Sequence, residues 1–291
     1  MRVFAISDLH VDFKENGYWV KNISNQDYRQ DALILAGDVS HEFDELSATL
    51  EMLLKKFKML FFVPGNHELW LNNGNWQDSW QKLQAILDFC EQCGVHYKPL
   101  LLEPGAERPL WVVPLLSWYT QPDEGEESLY LHKPGEDSSN RMWSDNYYIK
   151  WPNANAPFNA ARSLTSLNKK FLPQEYDAPV LSFSHFLPRQ ELMFRNGIKP
   201  DLKKVRKYDR NPSFNFSRVA GSMFIDQQIR QVGSEMHIYG HQHINRDLTI
   251  DGVRYIANSL GYPAERQRGQ IKEAELMQVW DCNGEKLTIE D

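Results

Sequence analysis

Three things are scarce in this chain of 291 residues, and each scarcity closes off a class of function. Cysteine occurs only as Cys90, Cys93 and Cys282. An odd, sparse set does not build the disulfide framework of a small secreted protein. Cys90-x-x-Cys93 offers half of a four-cysteine zinc site and closes an amphipathic helical pattern, so two helix-packing thiols are expected. Long apolar runs are missing as well: none approaches the roughly 20 residues that span a bilayer. The opening stretch "MRVFAISDLH" reaches Asp8 and His10 after one short apolar strand, which leaves no room for the apolar core of a signal peptide. A soluble protein of a reducing, cytoplasmic compartment, without a membrane partner, is the expectation. Positive charge is also short: 32 Lys and Arg against 39 Asp and Glu give a net charge of -7. Proteins that coat nucleic acid are usually basic, which argues against that role. An acidic substrate stays open, because bound metal ions bring positive charge locally.

Apolar residues are plentiful, at 42% of the chain, and their arrangement is informative. Val3 to Ile6, Ala32 to Ala36 and Met59 to Val63 are short, nearly continuous apolar runs, the pattern of strands covered on both faces. Between the last two, residues 44–58 carry Leu46, Leu50, Leu53, Leu54 and Phe57 at helical spacing. A second helix is predicted from about Trp76 to Cys93, with Gly94 as its stop. Strand and helix alternate, which predicts an α/β fold with a largely parallel sheet. Leu110–Leu116, Val180–Phe183, Met236–Tyr239, Val253–Ala257 and Leu276–Trp280 continue the series, with more strands than helices in the second half. One tract breaks the rhythm. From about 117 to 178 the chain is rich in Trp, Tyr, Pro, Asn and acids, including Trp118, Tyr119, Trp143, Tyr147, Tyr148 and Trp151. A tract this long predicts an ordered cap, a substrate-side loop or a partner-binding surface.

The residues just beyond each apolar run carry the chemistry. The first run ends in Ser7-Asp8-Leu9-His10, the second in Gly37-Asp38, and the third in Gly65-Asn66-His67-Glu68. Val180–Phe183 is followed by Ser184-His185, and Met236–Tyr239 by Gly240-His241-Gln242-His243. Alone, Asp-x-His is weak, Gly-Asp after a strand is most often a turn, and a lone histidine is more often a hydrogen-bonded core residue. Together, five strand ends carry metal-competent groups, and ligands bind at the carboxyl ends of strands in open α/β sheets. On extended backbone, Asp8 and His10 would project to one side, and His241 and His243 likewise.

These blocks, in this order, resemble the calcineurin-like metallophosphoesterases. The resemblance runs from Asp8 to about Ala264 and includes Asn258-Ser259-Leu260-Gly261-Tyr262-Pro263 after the last histidine pair. It implies one domain over residues 1–291, a four-layer α/β/β/α sandwich of two mixed sheets flanked by helices, with 117–178 as an insertion. It also implies two divalent metal ions, Mn²⁺ first with Fe or Zn²⁺ as alternatives. Asp8, His10, Asp38 and His243 would hold one ion, and Asp38, Asn66, His185 and His241 the other, with Asp38 bridging. Oxygen and imidazole donors without thiolate suit such ions. Two divalent cations against Asp8 and Asp38 leave a net positive pocket that attracts phosphate oxygens. The implied reaction is in-line attack on phosphorus by a metal-bridging hydroxide, with His67 unliganded and protonating the departing oxygen or stabilising its charge. Glu68 would orient a neighbouring group.

The match departs from the protein Ser/Thr phosphatase branch of the family. That branch has a second Asp three residues after Gly-Asp, where this chain has His41, and Leu-Arg before Gly-Asn-His, where this chain has Val63-Pro64. The group that orients His67 is therefore left open. The expected activity is hydrolysis of a small phosphomonoester or phosphodiester, with no protein partner evident. A nucleotide or lipid pyrophosphohydrolase is the alternative, with the 117–178 aromatics stacking a base and Lys199–Arg210 meeting further phosphates. A metal-binding scaffold without catalysis is the non-enzymatic alternative, and the intact set of ligands and His67 speaks against it.

Overall fold

Residues 1–72, 75–152, 158–172, 175–198, 211–271 and 275–284 are described by the computed structural model. The basic segment Lys199–Arg210 lies outside the described residues. The first three apolar runs become β1 (Arg2–Ile6), β2 (Ala32–Leu35) and β3 (Met59–Phe62), almost wholly buried because helices cover one face and a second sheet the other. They pair in parallel, Val3 opposite Ala32 and Ala32 opposite Met59. Helices α1 (Lys14–Asn22), α2 (Phe43–Leu54) and α3 (Ser79–Cys93) follow β1, β2 and β3 respectively, and α2 packs on β3 and on α3.

The second sheet holds β4 (Leu100–Leu102), β5 (Leu110–Pro114), β6 (Val180–Phe183), β7 (Ser234–Tyr239), β8 (Arg246–Ile250) and β9 (Val253–Ala257) in the order β4-β5-β6-β7-β9-β8. Within it β5, β6, β7 and β9 are parallel, and the edges β4 and β8 are antiparallel. The last strand, β10 (Met277–Asp281), returns antiparallel to β1. The single largely parallel sheet suggested by the alternation is thus two mixed sheets, as the family resemblance implied. Short or half-exposed strands close three of their edges. The helix Met223–Gln231 packs on β7 and on the helix Ala160–Asn168, covering the outer face of the second sheet. One continuous buried cluster links both sheets and their helices.

The helix ends show local chemistry at work. The chain leaves α2 at Leu54, earlier than position 58, because Lys56 turns inward and its ammonium donates to Lys21 O, Ile23 O and Asn25 Oδ1. Helix α3 starts at Ser79 rather than Trp76, because Asp78 caps it by accepting from Gln81 N at 2.8 Å. Gly94, at φ 80°, ends it as expected. Cys90 is buried on α3, and all three cysteines are free. Trp118 and Tyr119 are buried against Phe186 and one another, so part of the aromatic tract is core. Among the described residues no helix is long and apolar enough to cross a membrane.

Removing the α3 cap should weaken the fold without touching its chemistry. Asp78→Ala is expected to lower unfolding free energy by about 1 kcal/mol, measured by denaturant titration, with metal content unchanged.

Candidate metal centre

The carboxyl ends of β1, β2, β3, β6 and β7 meet where the two sheets adjoin. Ser7 N donates to Asn258 O and Leu260 N to Ser7 O, which splices the end of β1 onto the segment after β9. Asp8 N bonds Gly37 O, His10 N bonds Asp38 O, and Gly240 N bonds His185 O. This lacing holds an unusual backbone. Asp8, His10, Asp38, His241 and His243 have φ of 54°, 43°, 56°, 72° and 51°. Only three other non-glycine residues among those described lie in the left-handed region, so the strain is concentrated at the predicted ligands. The extended backbone assumed for Asp8-x-His10 and His241-x-His243 is therefore absent. Its consequence differs between the pairs: Asp8 and His10 converge, whereas His241 and His243 diverge into two separate groups.

Those groups are Asp8, His10, Asp38 and His243, and Asp38, His185 and His241. Within each, one donor atom per residue lies within 4.8 Å of the others. Asp38 belongs to both. Its Oδ2 is 3.3 Å from His185 Nε2 and 3.9 Å from both His10 Nε2 and His67 Nε2. His243 Nε2 is 3.4 Å from Asp8 Oδ1 and 3.0 Å from His10 Nε2. No room exists for a side chain at Gly65, where a Cβ would collide with Asp38 and His185. That steric demand accounts for the glycine before Asn66.

The donor set fits metal ions on its own geometry. His185 Nδ1 bonds Ala36 O at 2.9 Å, His241 Nε2 bonds Val219 O at 2.9 Å, and His243 Nδ1 bonds Glu265 Oε2 at 2.8 Å. Each of these rings is thereby turned with its other nitrogen toward the cluster, the usual support for a ligating imidazole. Asn66 Oδ1 and His185 Nε2 are buried with no hydrogen-bond partner, although buried polar atoms normally have one. The Asn66 carbonyl oxygen is thus free to accept a ligand. Two buried carboxylates are otherwise balanced by protons. Burial opposes charge on His185 and His243, but Asp38 and Asp8 outweigh it and hold these rings up to about 9 and about 10. Burial pushes His241 down to about 3. Cations entering this cluster would displace those protons.

His67 stands beside both groups without a place in either. Its backbone N–H donates to Asp38 Oδ1, and its ring stacks on Trp70 with centroids 3.8 Å apart. The Tyr262 hydroxyl is 3.4 Å from Nε2, and burial pushes the ring down to about 4, so it is neutral. Trp70 and Tyr262 thus hold the imidazole that the phosphatase branch holds with an aspartate. His41, at that aspartate's position, packs on Trp70 with ring centroids 6.0 Å apart.

Several supporting residues escaped the sequence reading. Ser259 Oγ donates to Asp8 Oδ2 at 2.7 Å, and Ser7 Oγ donates to the same oxygen. Asn16 Nδ2 bonds Leu9 O and Gly261 O, tying α1 to the segment after β9. Lys82, buried on α3, donates 2.7 Å hydrogen bonds to His41 O and Trp70 O. Asp145, in the aromatic tract, accepts from Asn66 and Trp70. Glu68 was expected to orient a neighbour, and the neighbour is backbone: its carboxylate accepts from the N–H groups of Asp38, Val39, Ser40 and Gly65 at 2.5–3.2 Å. It fixes the Asp38 loop to the Asn66 loop.

Glu68→Ala leaves those four N–H groups without their acceptor. It should lower unfolding free energy by about 3 kcal/mol or more, read by thermal or denaturant unfolding, and loosen the Asp38 loop.

Comparison with known proteins agrees with this geometry. A family model described as calcineurin-like phosphoesterase matches residues 1–245. The chain is similar, at 28% identity, to the acyl-carrier-protein phosphodiesterase PptH of Mycobacterium tuberculosis, over 91% of this chain and 79% of that one. It also superposes on the crystal structure of phosphopantetheinyl hydrolase (PptH) from Mycobacterium tuberculosis with a TM-score of 0.71. That alignment covers 96% of this chain and 95% of the other at 23% identity, a likeness of fold. The chain belongs to the calcineurin-like phosphoesterases, metal-dependent hydrolases of phosphoric esters.

Proposed function

We propose that this enzyme cleaves a phosphodiester, and that its substrate is a phosphopantetheine-type group esterified to a carrier protein. The observation that carries the reaction class is the pair of ligand groups sharing Asp38, with His67 unliganded at their edge. The named activity of the PptH relative supports the substrate class.

In this reading Asp8, His10, Asp38 and His243 would hold one ion and Asp38, Asn66, His185 and His241 the other. Two divalent ions there, Mn²⁺ in our assignment, would supply an activated water and positive charge against the phosphoryl oxygens. The protein does the rest. Asp38 fixes the spacing between the two groups, and the glycines beside the ligands let the loops close. His67 presents Nε2 toward the pocket, in reach of Tyr262 and Asp38, and as a neutral imidazole would donate an N–H hydrogen bond to the leaving oxygen, stabilising the charge that develops there. Trp70 blocks rotation of the ring by stacking on it. Exposed Phe13 packs on Tyr262, and exposed Tyr148 packs on Trp70. An elongated leaving arm would rest along these rings. The three free cysteines accord with a cytoplasmic setting.

His67→Ala should keep wild-type metal content while turnover falls by about 10²-fold or more. Asp38→Ala should lose both ions. Retention of two ions per chain in that variant, by elemental analysis, would remove the bridging role. The substrate is tested by incubating the Mn²⁺-loaded enzyme with a phosphopantetheinylated carrier protein and following its intact mass, beside a panel of a monoester, a bis-ester and a nucleoside diphosphate derivative. Loss of the prosthetic group, with the bis-ester cleaved faster than the monoester, is expected. An intact carrier protein with preferential cleavage of the nucleoside diphosphate would favour the pyrophosphohydrolase alternative.

A further inference from the structure

Among the buried polar side chains around the ligand groups, one comes from the aromatic-rich tract. Asp145 opens the short helix Asp145–Tyr148 in the aromatic-rich tract and is 3% exposed. Its Oδ1 accepts from Asn66 Nδ2 at 2.9 Å and from Trp70 Nε1 at 2.6 Å, and its Oδ2 accepts from Trp143 Nε1 at 2.9 Å. These three N–H donors and the Tyr119 hydroxyl, which also bonds this carboxyl, are neutral, so it is satisfied by hydrogen bonds and not by an ion pair. Burying an acid in this way costs free energy that an apolar residue would not cost. Its retention calls for a purpose.

We infer that Asp145 is a positioning residue, which sets the amide of Asn66 with its oxygen toward the ions and holds the Trp70 ring against His67. The inference rests on the reading of Asn66 as a ligand and of His67 as the group that meets the leaving oxygen. The argument is one of donor and acceptor inventory. A primary amide has one accepting end and one donating end, whereas an ionised carboxylate only accepts. Asp145 therefore binds the Nδ2 end of Asn66 and rejects the other, and Oδ1 is left buried without a partner. With the amide reversed, two N–H groups would face a cation and the ligand would be lost. The same Asp145 oxygen takes the indole N–H of Trp70, whose ring lies 3.8 Å from that of His67. One carboxylate thus places both a ligand and the leaving-group imidazole, and the aromatic tract completes the centre instead of merely covering it. Trp143, the third donor, also packs edge-on to His241, which extends this support to another predicted ligand.

The test uses Asp145→Asn in the full chain, with Mn²⁺ alone as the probe in calorimetric titration. This substitution keeps size and turns one accepting oxygen into a donor, so the Asn66 amide is free to reverse. The first ion should bind as in wild type, the second about 10- to 100-fold more weakly, as found for lost supports of metal ligands, and kcat should fall at saturating Mn²⁺. The double variant Asn66→Asp with Asp145→Asn should recover the second ion, because a carboxylate at position 66 accepts from the amide introduced at position 145 and binds metal in either orientation. Wild-type affinity for both ions in Asp145→Asn, with Asn66→Ala still losing the second, would overturn the inference and leave the ligand assignment standing. A double variant that stays weak would point to general misfolding and would also overturn it. Fewer than two ions on the wild-type chain would overturn the ligand assignment and the inference together.

Discussion

The carboxylate of Asp38 is the constraint on which the rest is built. It lies buried where five loops meet, and a buried anion persists only if positive charge or strong donors surround it. Three histidine nitrogens approach its Oδ2, and its own loop is held by Glu68 through backbone N–H groups. Without ions, protons on His185 and His243 balance the acids, since both rings are held well above the ordinary histidine range. Ions held there would displace those protons, so metal uptake would be coupled to proton release.

The geometry that permits this is expensive. Five of the predicted ligand residues occupy left-handed backbone, each at a cost of order 1 kcal/mol or more. The lacing between loops makes the conformation the only one that fits: Asp8 N to Gly37 O, His10 N to Asp38 O, and the Glu68 clamp each fix one turn against another. Two sheets that adjoin at their strand ends bring side chains from residue 8 and residue 243 into contact. A single sheet would have spread them along one edge.

Much of this was legible in the chain. Short apolar runs ending in Ser-Asp, Gly-Asp, Gly-Asn-His, Ser-His and Gly-His announced both the strands and the groups at their ends, because burial fixes the strand and the exit turn needs small residues. Other features were hidden for physical reasons. The edge strand Arg246–Ile250 is half-exposed and polar, so it has no apolar run to reveal it, although Asp251-Gly252 before β9 is a strong hairpin signal. The division of His241 from His243 depends on left-handed backbone that residue spacing does not encode. Asp145 lies 79 positions from Asn66, inside a polar aromatic tract, and nothing local distinguishes it from its acidic neighbours. Supports of this kind become visible only when the fold has placed them.

The central claim is that one carboxylate joins two metal positions into a single centre. Low-temperature electron paramagnetic resonance of the fully Mn²⁺-loaded protein addresses it directly, since two ions sharing a carboxylate are magnetically coupled. A spectrum of a spin-coupled pair, reached only as the second equivalent binds, is the predicted result. The six-line pattern of isolated Mn²⁺ ions, persisting at full loading, would contradict the account.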